Sequence, residues 1–124
     1  LRPLACADLT MAAAKAKAAA HGLRAMTVEA LLAAPDIDIV LNLTVPRAHA
    51  AVGQQVLAAG KHLYAEKPLG VTLAEGAALM AAADAAGLRI GSAPDTFLGG
   101  AHQTALAALA GGRIGRVTGG SAHM

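Results

Sequence analysis

The chain is 124 residues long, 56% hydrophobic and 15% charged, with a formal net charge of +2. That balance suits one domain of modest size with a true core and excludes global disorder. The charge is too small, and the basic residues too scattered, for a nucleic-acid surface. A single cysteine, Cys6, excludes an internal disulfide framework and a CxxC zinc site. Tyr64 and Phe97 are the only aromatic residues, so the core must come from Leu, Ile, Val, Met and alanine.

Pro3 to Asp8 (PLACAD) is apolar and ends in an acid, which reads as a buried strand. Thr10 to Ala20 is an alanine-rich helix that His21 and Gly22 close, a late cation suiting the dipole and glycine the left-handed cap. LRAMT is a short strand or extended link, after which Thr27 caps a short helix, VEALLAA, with Glu29 in its first turn. Asp36 to Thr44 (DIDIVLNLT) is the strongest strand, its near-continuous apolar run predicting a parallel strand buried on both faces. Pro46 follows, then a helix from about Arg47 to Ala59, stopped by Gly60. KHLYAE is the next strand, and Thr72 and Glu75 have the Thr-x-x-Glu spacing of a capping box for a helix that Gly87 ends. LRIGSA is a further strand, PDTFLGG a loop and AHQTALAALA a last helix, with RIGRV leading to TGGSAHM as the opening strand of a second unit.

Strands that alternate with helices across short loops predict an α/β fold: an open, doubly wound parallel sheet with helices on both faces. No apolar run approaches the ~20 residues that cross a bilayer, and no signal peptide is recognisable. The expectation is a cytoplasmic protein with no membrane or nucleic-acid partner. His21, His49, His62, His102 and His123 are dispersed without ligand spacing, which argues against a metal. The chain opens on Leu1 close to a strand and stops at Met124 in an extended stretch, which reads as a piece of a longer protein.

Ligands of open α/β sheets bind outside the carboxyl ends of the strands, and four places qualify. Asp8 ends the first strand: it is either the acid that bonds the adenine ribose of a dinucleotide, or a helix N-cap or solvated loop acid. The polar turn after the best strand offers Asn42, Leu43, Thr44, Pro46 and His49, either as cofactor contacts or as an ordinary strand–helix turn. Asp95, after GSAP, either faces a pocket or forms a turn. The sharpest signal is Glu66-Lys67-Pro68, a tripeptide expected by chance in a chain this long on the order of a few per cent of the time. A lysine there either donates to a cofactor or substrate hydroxyl, where partial desolvation can bring it toward proton transfer, or is half of a solvated ion pair at a loop. Glu66 is placed to orient the ammonium, and Pro68 restricts Lys67 to extended backbone.

LACADL, DIDIVLNLTVPRAHA, AGKHLYAEKPLGVTLAEG and GGRIGRV, in that order, resemble the Gfo/Idh/MocA family of nicotinamide-dependent oxidoreductases. The resemblance implies a Rossmann domain over residues 1–116, lacking its first strand and glycine loop, and the start of a C-terminal α/β domain over 117–124. It implies NAD as cofactor, with NADP as the alternative, because Asp8 would repel a 2′-phosphate. Asp8, Asn42, Leu43, Thr44, Pro46, His49, Glu66 and Lys67 are then cofactor contacts. Lys67 is the catalytic residue, bridging nicotinamide ribose and substrate hydroxyl. The substrate implied is a sugar, inositol or related polyol or carbonyl compound, and the full-length protein is a homo-oligomer. The alternative is a non-catalytic NAD(P)-binding sensor on the same fold. APDTFLGG departs from the family's usual segment, which leaves the substrate class open. The chain alone is expected to be inactive and marginally stable, with apolar strand edges exposed.

Overall fold

The computed structural model describes residues 1–93 and 96–121. The chain divides into two compact units, 1–93 and 94–124.

The first unit alternates strands and helices: β1 (Ala5–Ala7), α1 (Met11–His21), β2 (Arg24–Met26), α2 (Val28–Ala33), β3 (Ile39–Asn42), α3 (His49–Ala58), β4 (His62–Ala65), α4 (Leu73–Ala86) and β5 (Ile90–Ser92). All pairings are parallel, as short helical crossovers require. The five strands form a pair, β1–β2, and a triplet in the order β3–β4–β5, with no hydrogen-bonded ladder between β1 and β3. The expected α/β fold with parallel sheets is therefore present, divided between these two ladders.

Local signals set the helix ends where the residues predict them. Gly22 and Gly87 take left-handed conformations, each with φ 66°, and close α1 and α4. The Thr27 hydroxyl accepts the Ala30 N–H at 3.2 Å and opens α2. Thr72 and Glu75 form the reciprocal capping box at the start of α4.

The core lies between the triplet and two helices. Val56 and Leu57 of α3, Leu63 and Ala65 of β4, and Leu79 and Ala83 of α4 form one buried cluster. The α3–α4 contact is close because Gly53 has no side chain: a Cβ there would lie 2.9 Å from a Leu79 methyl and 3.0 Å from one of Leu63. The other face of the triplet is open, which corrects the expectation that Asp36 to Thr44 is a strand buried on both sides. Ile39 is 36% exposed and Leu41 54%, because α3 and α4 cover only one face and β3 pairs on one edge alone. The strand is also shorter than its apolar run. The Ile37 carbonyl accepts from the Lys61 ammonium, and beyond Asn42 the chain turns back on the Asn42 side chain.

In the second unit a short 3-10 turn, Thr96–Leu98, precedes α5 (Gly100–Ala110). The Gln103 side-chain amide donates to the Phe97 carbonyl at 2.7 Å and joins the two. Residues 113–121 are turn and coil, without the opening strand that TGGSAHM suggested; Ala122, His123 and Met124 lie outside the described residues. Asp95 also lies outside them.

Candidate functional site

Parallel register brings the carboxyl ends of β3 and β4 level, with Asn42 opposite Ala65. The Glu66 N–H donates to the Asn42 carbonyl at 2.9 Å, which extends the pairing by one residue. Two turns therefore leave the sheet side by side: Asn42 to His49, and Glu66 to Gly70.

Asn42 organises the first turn. It is 2% exposed, and its Oδ1 accepts both the Thr44 N–H at 3.2 Å and the Thr44 hydroxyl at 2.7 Å. Its Nδ2 donates to the His49 carbonyl at 3.1 Å. This folding back presents Leu43, Thr44 and Pro46 at the surface. Because the Thr44 hydroxyl gives its proton inward, its remaining lone pairs leave it an acceptor for an incoming N–H or O–H.

His49, the first residue of α3, is 1% exposed and faces inward. Its Nε2 lies 2.8 Å from the Thr44 carbonyl oxygen and its Nδ1 2.6 Å from the Pro68 carbonyl oxygen. The ring joins the two turns from beneath. Asn42 and His49 thus sit under the surface formed by the other candidates, with their polar atoms already engaged inside the protein.

The second turn carries Glu66, Lys67 and Pro68, all exposed. The Lys67–Pro68 peptide bond is cis. The Glu66 carboxylate accepts the Lys67 backbone N–H at 2.8 Å instead of holding the ammonium, as its neighbouring position had suggested. Among the described residues the one ion pair is Arg24–Asp36, so the Lys67 ammonium stands free of a carboxylate. The chain beyond is locked onto α4. Glu75 Oε2 accepts the Val71 N–H at 2.7 Å and the Thr72 N–H at 3.0 Å, and the Thr72 hydroxyl accepts the Glu75 N–H at 3.2 Å.

Asp8 belongs to a different place, at the ends of β1 and β2. Its Oδ1 accepts the Thr10 N–H at 2.8 Å, which shapes the loop before α1; the N-cap itself is Thr10, and no side chain caps that helix. It also lines an open cleft with Leu9, Met11, Thr27, Val28 and Glu29. Hydrogen bonds from its own backbone and from Thr27 hold the Glu29 carboxyl below the usual carboxylate range. The cleft presents two carboxylates and no cation.

Lys61 lies outside the candidate site residues of the sequence motifs. It is 6% exposed, and its ammonium donates to the Ala34 and Ile37 carbonyls at 2.7 Å each, fixing the loop that feeds β3. Nothing local marks it, since its acceptors lie 27 and 24 residues away. Among the described residues no group of three His, Cys, Asp or Glu comes together to hold a metal, and no helix is long and apolar enough to cross a membrane.

A family model described as an oxidoreductase family with an NAD-binding Rossmann fold matches residues 4–93, the whole of the first unit but its first residues. The chain belongs to the Gfo/Idh/MocA family. Among its curated relatives is the 1,5-anhydro-D-fructose reductase of Ensifer adhaerens, 36% identical over 95 residues, covering 77% of this chain and 28% of that protein. Another is the inositol 2-dehydrogenase of Rhizobium meliloti, 41% identical over 68 residues, covering 55% and 21%. Of solved structures, the WlbA dehydrogenase of Bordetella pertussis, in complex with NADH and UDP-GlcNAcA, superposes with a TM-score of 0.83 at 27% identity over 91% of this chain and 33% of that one. The biliverdin reductase of Synechocystis, in complex with biliverdin and NADP+, does so with a TM-score of 0.70 at 36% identity over 79% and 32%. The chain spans less than a third of either curated relative. The fold is Rossmann-like, that of an NAD-binding oxidoreductase family, and the two structural neighbours are in complex with NADP+ and with NADH.

Proposed function

We propose that this chain is the cofactor-side portion of an NAD-dependent oxidoreductase that passes hydride between the nicotinamide ring and a sugar, inositol or related polyol or carbonyl compound. The observation that carries the reading is the Lys67 turn. Among the described residues no carboxylate pairs with the Lys67 ammonium at the carboxyl end of β4, the middle strand of the triplet. Its backbone N–H is held by Glu66, and the residues that follow it are held by α4. The residues present suit a dinucleotide. The cleft of Asp8 and Glu29 fits a ribose diol, which donates hydrogen bonds to carboxylates, and it repels a 2′-phosphate. That charge pattern favours NAD over NADP. Thr44 offers an acceptor to a ribose hydroxyl or an amide N–H.

When bound, the nicotinamide accepts or donates the hydride. The chain's own part is positional and protonic. Lys67 would donate hydrogen bonds to the nicotinamide ribose and to the reacting hydroxyl oxygen. It thereby stabilises charge developing on that oxygen and assists the transfer of its proton. Leu43, Pro46 and Glu66 complete the contact surface, and Asn42 holds its first turn in shape.

The test uses the full-length protein with a panel of sugars and polyols, NAD and NADP in parallel. Lys67→Ala is expected to lower kcat by roughly a hundredfold or more while NADH affinity changes by no more than roughly tenfold. Near wild-type turnover in that variant removes Lys67 from the chemistry. Tight NADH binding by the wild type without turnover of any substrate assigns the protein to the non-catalytic alternative.

A further inference from the structure

We infer that His49 is a positioning residue for Lys67, its ring serving as a two-donor strut between the Thr44 carbonyl and the Pro68 carbonyl. The inference rests on the proposed role of Lys67 for its kinetic consequence, but not for its structural content.

The argument is one of hydrogen-bond inventory. Carbonyl oxygens accept and never donate. His49 Nδ1 lies 2.6 Å from one and Nε2 lies 2.8 Å from another, both within the range of a made bond. A ring with a single N–H satisfies one of these contacts and sets a nitrogen lone pair against an oxygen lone pair in the other. Both contacts are bonds only when both nitrogens carry protons. A ring that donates from both nitrogens makes two charge-assisted bonds to these oxygens. The charged residues on the two turns, Arg47, Glu66 and Lys67, are all exposed. The Glu66 carboxylate is turned to the Lys67 N–H, and Glu75, on the helix packed against α3, is turned to Val71 and Thr72. The acceptors of the ring are the two backbone oxygens.

The consequence is mechanical. Pro68 immediately follows Lys67, so the Pro68 carbonyl anchors the lysine's turn from below while Glu66 anchors its N–H from above. The opposite nitrogen anchors Thr44, whose hydroxyl is the acceptor offered to the cofactor. One ring therefore sets the spacing between a cofactor contact and the catalytic ammonium. Asn42 completes the loop by bonding both Thr44 and the His49 carbonyl.

Two substitutions separate the halves of the strut in the full-length protein. The amide nitrogen of His49→Asn reaches the place of Nδ1 and keeps the Pro68 bond; that of His49→Gln reaches the place of Nε2 and keeps the Thr44 bond. We expect kcat to fall further in H49Q than in H49N, by roughly tenfold, and NADH affinity to weaken more in H49N than in H49Q. Equal losses in both variants, tracking their thermal stability, would overturn the positioning role. Ring-nitrogen NMR of the wild-type protein labelled with 15N-histidine decides the strut without any turnover and without either variant having to fold. Two protonated nitrogens at His49 support it; one bare nitrogen refutes it. A wild-type protein that turns over no substrate defeats the proposed function while this spectrum still settles the ring.

Discussion

Gly70 is the position at which packing and chemistry meet most directly. Its φ is not in the left-handed region, so alanine is conformationally acceptable there, and the cost of Gly70→Ala is one of contact. An added Cβ would lie 2.8 Å from Glu75 Cβ, 2.9 Å from the Gly76 nitrogen and 3.3 Å from the Glu75 carbonyl carbon. These atoms belong to the first turn of α4, which cannot swing aside as a flexible side chain can. The nearest contact falls about 0.6 Å short of ordinary van der Waals separation, so the turn must move off the helix by that order. Displacement by that amount stretches the bonds from Val71 N–H and Thr72 N–H to the Glu75 carboxylate, now 2.7 and 3.0 Å. The expected loss is about 2–3 kcal/mol, combining overpacking with a weakened capping box. Because Lys67 lies three residues upstream on the same turn, a shift of this size is expected to lower kcat by roughly tenfold or more. Thermal unfolding, steady-state kinetics and hydrogen exchange of the Val71 and Thr72 amides in the full-length protein measure the three effects. Wild-type stability, exchange and turnover in G70A would refute the argument that the turn is held by its seat on α4.

Lys61→Met keeps the apolar stem of the side chain but leaves the Ala34 and Ile37 carbonyls without their donor. The full-length variant is expected to lose about 2–4 kcal/mol in urea unfolding, since two charge-assisted bonds outweigh the relief of burying an ammonium. A change within experimental error would show the pair of bonds to be dispensable. The Arg24 guanidinium, 2.7 Å away, holds the Asp36 carboxyl below the usual aspartate range. A depressed folded-state value means that the ion pair contributes stability at neutral pH and loses it as pH falls through that range. Thermal melts of Asp36→Asn should therefore lie below wild type at neutral pH and converge with it in acid. The effect is small, because both partners are about half exposed to solvent, and curves that stay parallel into acid would contradict it.

Local chemistry made much of this protein legible in its residues. Thr72 and Glu75 announce the start of α4, Gly22 and Gly87 the ends of two helices, and the run around Ile39 to Leu43 a parallel strand. Each signal acts over a few residues, through a cap, a left-handed glycine or a short apolar run. The same is true of Glu66-Lys67-Pro68, whose place after a strand follows from the order of the elements. Tertiary structure alone decided which polar side chains turn inward. His49 read as a surface contact in the first turn of a helix, yet its ring lies between carbonyls of Thr44 and Pro68, the second of them 19 residues away. Lys61 opens the KHLYAE segment without any distinguishing signal, yet it is buried on carbonyls contributed by a distant loop. Neither fate is written in periodicity or propensity, because a buried polar group is stable only where remote backbone supplies its partners. The open face of β3 has the same origin. An apolar run records that burial is favourable, and only the placement of helices decides which of its residues are covered.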